Sequence, residues 1–121
     1  MIDTVIIKTC KNCRITSDRI SRTVKKYLKK KNMSDASLEI EVVGVNRMTS
    51  LNRKYMKKSG PTDVLSFPLP KISALDNFLG TIVLCHDIIK SNSTKNGVSF
   101  KDEFDSNLKH GIDHLLGIHH D

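Results

Sequence analysis

Within one short stretch the hydrophobic period of this chain changes from helical to extended. That switch confines the chain to a layered fold of helices on a sheet. Ile20, Val24, Tyr27 and Leu28 fall at i, i+4, i+7 and i+8, the apolar stripe of a helix, and Thr16, Ser17 and Asp18 ahead of them are helix-start residues. Leu38-Glu39-Ile40-Glu41-Val42 then alternates residue by residue, which predicts a half-buried strand. The β-branched run Ile2 to Lys8 predicts a first strand. Asn46 is placed to cap a second helix that buries Met48, Leu51 and Tyr55, and Ser59-Gly60-Pro61 ends it. Thr62 to Pro68 reads as a strand, residues 71 to 77 as a loop, and Phe78 to Leu84 as a fourth strand. A short helix runs from His86 through Ile89, residues 91 to 98 are polar and turn-rich, and a long helix spans Phe100 to Leu116 on Phe104, Leu108, Ile112 and Leu115. The order β-α-β-α-β-β-α-α predicts an α+β fold, a mixed sheet of about four strands with packed helices. At 121 residues, without repeats or a compositional break, it reads as one domain, 1-121.

Aromatic residues are 5% of the chain and Trp is absent, so aliphatic side chains must fill the core. Lys and Arg total 20 against 13 Asp and Glu, a net charge of +7 that favours polyanionic partners, nucleic acid ahead of membrane. The basic residues cluster: Arg19, Arg22, Lys25, Lys26, Lys29 and Lys30 surround the stripe of the first helix, as a solvated or an RNA-facing surface. No apolar run reaches the length of a membrane span, and the N-terminus lacks the regions of a signal peptide, so a cytoplasmic location is expected. Three cysteines argue against a disulfide scaffold. Cys10 and Cys13 form a lone CxxC, read as incidental, and Cys85 reads as core.

Four of the five histidines lie between positions 110 and 120. His110 and His114 are four apart, which on a helix stacks them on one face about 6 Å apart along the axis. Gly117 is suited to the left-handed conformation that ends a helix, and His120 then stands where a returning chain completes a triangle. Three imidazoles leave one zinc position open, the arrangement of a catalytic site. The spacing is that of the metzincin proteases, but the residue after the first His is Gly111 where a peptidase needs a Glu base. Asp113 projects at a different angle and is no easy substitute. It reads as a partner for a ligand imidazole or as a surface residue. His86 has no partner at ligand spacing and reads as a satisfied or exposed histidine.

Taken in order, Leu51-Asn52-Arg53-Lys54-Tyr55, Pro61-Thr62-Asp63-Val64-Leu65-Ser66-Phe67-Pro68, Gly80-Thr81-Ile82-Val83, and the His110, His114, His120 segment resemble the YbeY family of bacterial rRNA maturation factors. The resemblance covers roughly the second two thirds of the chain and is specific where TDVLSFP and the histidines combine. It implies a single-strand-specific endoribonuclease with one metal, zinc or nickel, held by His110, His114 and His120. It implies a role in processing the small-subunit rRNA 3′ end and in ribosome quality control, with single-stranded RNA, rRNA and the small ribosomal subunit as partners and no membrane. The sequence departs from the family pattern at Met56, where an Arg is usual, at Thr81 for an Asp, and at His119 for an acidic residue. His119 therefore competes with His120 as third ligand. The family pattern continues past the third histidine into another helix, whereas this sequence ends at Asp121.

Phosphodiester cleavage needs a nucleophile, charge neutralisation and a grip on the strand. Zinc lowers the pKa of its water to about 7, or polarises a phosphate oxygen while the RNA 2′-hydroxyl attacks; both routes stand open. His114 and Arg53 are assigned to catalysis, and Arg53, Lys54, Lys57 and Ser66 to substrate binding. A Lys is a point charge and does not replace a bidentate guanidinium. Thr62 and Asp63 read equally as site hydroxyl and carboxylate or as a turn after Pro61. The competing readings are a non-catalytic RNA-binding assembly factor with a structural metal, and a zinc peptidase, which Gly111 disfavours.

Overall fold

The structure is a computed structural model and describes residues 1–69 and 77–118. The elements are β1 (Ile2–Lys8), α1 (Ser17–Lys30), β2 (Ala36–Val43), α2 (Val45–Met56), β3 (Val64–Pro68), β4 (Phe78–Cys85), α3 (His86–Asn96) and α4 (Phe100–Leu115). The four strands form one sheet in the order β1-β2-β4-β3. β1, β2 and β4 are parallel neighbours, and β3 runs antiparallel along β4 as an edge. The α+β architecture with a mixed sheet is the expected one.

Alternation decides the layers. Leu38, Ile40 and Val42 of β2 are fully buried and point with Ile82 and Leu84 of β4 into the larger core. That core is closed by Ile20, Val24 and Leu28 of α1 and by Phe104, Leu108, Ile112 and Leu115 of α4. Val43, Leu65, Val83 and Cys85 point to the other face, where Met48 and Leu51 of α2 cover them. The two helices that matter below therefore lie on opposite faces: α4 with α1, α2 across the sheet. The Thr16 hydroxyl accepts from Arg19 N at 3.2 Å and the Ser99 hydroxyl from Asp102 N at 3.1 Å, capping α1 and α4.

Several expectations need correction. α3 continues to Asn96 through the stretch read as turns, because its polar residues bond back along the helix. Ser93 and Thr94 donate to the Lys90 carbonyl at 2.7 and 3.3 Å, and the turn comes only at Gly97 (φ 68°). α2 is capped by Gly44, and Asn46 lies inside the helix. Tyr55 is 53% exposed; Asn52 takes the buried position instead, and its amide donates to the Gly60 carbonyl at 3.0 Å. β3 starts at Val64, because Asp63 accepts from Val64 N at 2.8 Å and from the Thr62 hydroxyl at 3.3 Å, which fixes the turn. Cys10 and Cys13, read as incidental, stand side by side between β1 and α1 with Cα atoms 5.7 Å apart. Cys85 is core as expected, and its burial pushes the thiol up.

Candidate active site

His110 and His114 lie on one face of α4 with ring centroids 4.8 Å apart and planes at 76°. The four-residue spacing brings them together as expected. β3 supplies the next group: Ser66 Oγ is 3.1 Å from His114 Nδ1. The hydroxyl fixes the ring's orientation, and where His114 donates Nδ1–H to it the Nε2 lone pair is left for a ligand. After Leu115 the chain reverses. Gly117 takes φ 80°, its N–H reaches the His114 carbonyl at 3.1 Å, and Ile118 N reaches the Asp113 carbonyl at 2.8 Å.

The third expected ligand, His120, and its competitor His119 lie outside the described residues. Among the described residues no three metal-ligating side chains come together. The pair that is described fits a borderline-soft divalent ion in donor type: two imidazoles on one face, one of them oriented by a hydroxyl.

Gly111 has a packing reason. A β-carbon there would lie 2.8 Å from Ile82 Cγ2, so α4 sits too close to β4 for any larger residue. The position where a zinc peptidase carries its glutamate is closed by the fold itself. Gly80 permits the same approach from the sheet. At φ 137° its missing β-carbon would collide with the Phe67 carbonyl and stand 3.0 Å from Leu115 Cδ2.

Asp113 is 4% exposed and accepts from the Tyr27 hydroxyl at 2.8 Å, which rules out the surface role. Lys31 Nζ stands 4.0 Å from the same carboxylate oxygen. Burial first, then the hydrogen bond and charge of Asp113, pushes the Tyr27 phenol up to about 12. Sequence reading missed this link between α1 and α4; the only signal was a Tyr on an otherwise aliphatic stripe.

Arg53, Lys54 and Lys57 are exposed at the end of α2, on the other face of the sheet from α4. Lys54 Nζ lies 5.2 Å from the Tyr55 ring centroid, and Tyr55 meets Phe67 edge to face at 5.3 Å. Phe67 follows Ser66 on β3, so this edge strand presents Ser66 to the histidines and Phe67 to α2. Thr81 lines an open cleft there with Tyr55 and Phe67, and Met56 is 41% exposed beside it. His86 is a satisfied core histidine: Nε2 accepts from Arg14 N at 3.2 Å, Nδ1 faces Asp87 Oδ1 at 3.1 Å, and the ring packs on Phe100.

The model of the family described as Endoribonuclease YbeY matches residues 6–121. A relative named Endoribonuclease YbeY from Aquifex aeolicus is 30% identical over 117 residues, 97% of this chain and 77% of its own length. One of the same name from Legionella pneumophila is 39% identical over 89 residues, which are 71% of this chain and 56% of the relative. The match to Anaeromyxobacter, at 33% identity, likewise takes in 56% of that protein, so several relatives are spanned for little more than half their length. A solution structure of a Thermotoga maritima protein superposes with a TM-score of 0.68 at 26% identity, over 100% of this chain and 75% of that one.

Proposed function

This chain belongs to the YbeY family, and from that premise we propose that it is a metal-dependent endoribonuclease acting on single-stranded RNA. The observation that carries the reading is the His110–His114 pair with Ser66 on His114 Nδ1. His110, His114 and His120 hold the metal, zinc or nickel. When bound, such an ion acidifies water and withdraws charge from a phosphate oxygen at neutral pH.

The chain's own residues do the rest. Ser66 orients the His114 imidazole through its contact with Nδ1 and accepts from Nδ1–H when Nε2 ligates. Gly111 keeps α4 pressed on β4, so the two imidazoles are fixed to the sheet rather than to a mobile helix. Arg53 supplies the planar guanidinium that offsets charge developing on the phosphate, and Lys54 and Lys57 hold flanking phosphates as point charges. On this proposal the strand passes the β3 edge, where Ser66 and Phe67 face opposite sides, to meet these cations on the α2 face. The biological setting is maturation of the small-subunit rRNA 3′ end and ribosome quality control in the cytoplasm, with the small ribosomal subunit as partner.

One observation favours a second reading. The family's usual arginine is Met56 here, a half-exposed apolar side chain at the end of α2. On that reading the protein is an RNA-binding assembly factor with a structural metal.

The deciding experiment is cleavage of single-stranded rRNA by metal-analysed protein beside His114→Ala and a chelated sample. Cleavage that needs about one metal per chain and vanishes in both controls is expected. Metal and RNA binding without cleavage would establish the assembly factor instead.

A further inference from the structure

A second cluster of positive charge lies away from the residues assigned so far. A groove of about 720 Å³ runs between α1 and α4, lined by Lys26, Lys29 and Lys30 on one side and Lys109 on the other. Its one lining carboxylate, Asp105, is bound by Arg19 at 2.8 Å and so repels an anion less. The floor includes Tyr27, with Lys31 Nζ 5.2 Å and Lys109 Nζ 5.8 Å from its ring centroid. All four lining lysines are exposed.

We propose that this groove is a track for the phosphate backbone of single-stranded RNA, carrying the strand beyond the bond held at His110 and His114. The proposal rests on the endoribonuclease reading above and adds to it a second contact surface. Three observations support it. The first is charge: four lysines line a concavity whose one lining carboxylate is paired through Oδ2 with Arg19. The second is continuity. Lys109 directly precedes His110, and the Tyr27–Asp113 hydrogen bond ties the end of α1 to the turn of α4 that carries His114. The α4 wall of the groove, from Asp105 to Lys109, rises about 6 Å and ends one residue before His110. The third is that the groove's described lining residues include no aliphatic side chain to insert into lipid. The apolar stripe of α1, Ile20, Val24 and Leu28, is at most 1% exposed and spent in the core. The groove thus offers phosphate contacts alone, the sequence-independent component of RNA binding.

The test is equilibrium binding of fluorescent RNA to the full chain with chelator present, as a function of salt, for the wild type, for Lys26→Ala/Lys30→Ala, and for Lys90→Ala/Lys95→Ala. The last pair removes the same charge from exposed positions on α3. Two RNAs are used, of about 4 and about 16 nucleotides. If both groove lysines touch phosphate, the groove variant loses about 25-fold in affinity for the long RNA at 0.1 M salt, and its log–log salt slope falls by about 1.4. Its binding of the short RNA stays at wild-type strength, and the α3 variant binds both RNAs like the wild type. A groove variant that binds long RNA like the wild type overturns the track and leaves the endoribonuclease reading intact. Equal losses in the α3 variant also overturn it, because net charge alone then accounts for the effect. A wild type that binds neither RNA overturns the track, and the endoribonuclease reading is then decided by the cleavage experiment above.

Discussion

Gly111 and Ile82 touch so closely that a β-carbon on the glycine would lie 2.8 Å from Ile82 Cγ2. The contact seats the histidine-bearing turn of α4 on the central part of the sheet. A methyl group at 111 gains about 1 kcal/mol of helix propensity but overpacks a buried site, which costs about 1–3 kcal/mol. Gly111→Ala is therefore expected to destabilise by about 1 kcal/mol, and Gly111→Glu by more, since it also buries a charge. Ile82→Ala alone opens a cavity worth about 2–5 kcal/mol. Combined with Gly111→Ala it should lose less than the sum, because each change relieves the other. A double-mutant cycle by denaturant unfolding measures this; additive losses would mean the contact does not set the helix position.

Ser66→Ala removes the hydroxyl facing His114 Nδ1 and with it the contact that orients the imidazole. Metal affinity should fall about 10–100-fold while stability changes by about 1 kcal/mol or less. Competition against a chromophoric chelator reads the first, and thermal unfolding of the metal-free protein reads the second. An unchanged affinity would separate Ser66 from the metal and leave it as a substrate contact alone.

Tyr27 couples α1 to α4 through Asp113, and Tyr27→Phe strips a buried carboxylate of that donor. The expected loss is about 1–3 kcal/mol near neutral pH. The phenol is pushed up to about 12 in the folded protein, from 10.0, by burial and by Asp113. A group whose pKa is raised on folding gives its full stabilisation below the unfolded value and loses it as pH rises through the folded one. The stability difference between wild type and Tyr27→Phe should therefore be constant below pH 10 and shrink between 10 and about 12. Denaturant midpoints of both proteins across that range give the answer; a difference that grows with pH would contradict the link.

What was legible in the sequence was whatever one period or one spacing could carry. The alternation in β2, the stripe Ile20-Val24-Leu28 and the His110–His114 pair each need only local geometry, and each stands as read. Errors arose where tertiary partners outvote local preference. Asn52 is buried because Gly60 returns to meet it, and Tyr55 is thereby turned outward. α3 runs through a Ser/Thr/Asn-rich stretch in which Ser93 and Thr94 bond back to Lys90 and Asn96 donates to Glu103 of α4. The glycine after the first histidine was legible as a missing base, but its cause, the close approach to Ile82, is a property of the packed layers alone. The substrate cations were grouped with the histidines by sequence order, and the sheet puts α2 and α4 on opposite faces, to be joined only around β3.

Met56 stands at the end of α2, 41% exposed, next in sequence to Tyr55 and Lys57. Methionine there buries little and bonds nothing charged, so Met56→Arg should leave stability within about 0.5 kcal/mol. If the RNA strand wraps the β3 edge as proposed, the added guanidinium meets it, and one further phosphate contact steepens the log–log salt slope by about 0.7. If the protein is a nuclease weakened by the lost arginine, cleavage should rise more than binding, because a fork of donors helps most where phosphate charge develops. If it is an assembly factor, binding alone should tighten. The kcat and KM of Met56→Arg on single-stranded rRNA, beside its salt-dependent affinity, separate the two. A variant unchanged in affinity and rate would place the RNA path away from the end of α2 and leave Arg53, Lys54 and Lys57 as solvated charge.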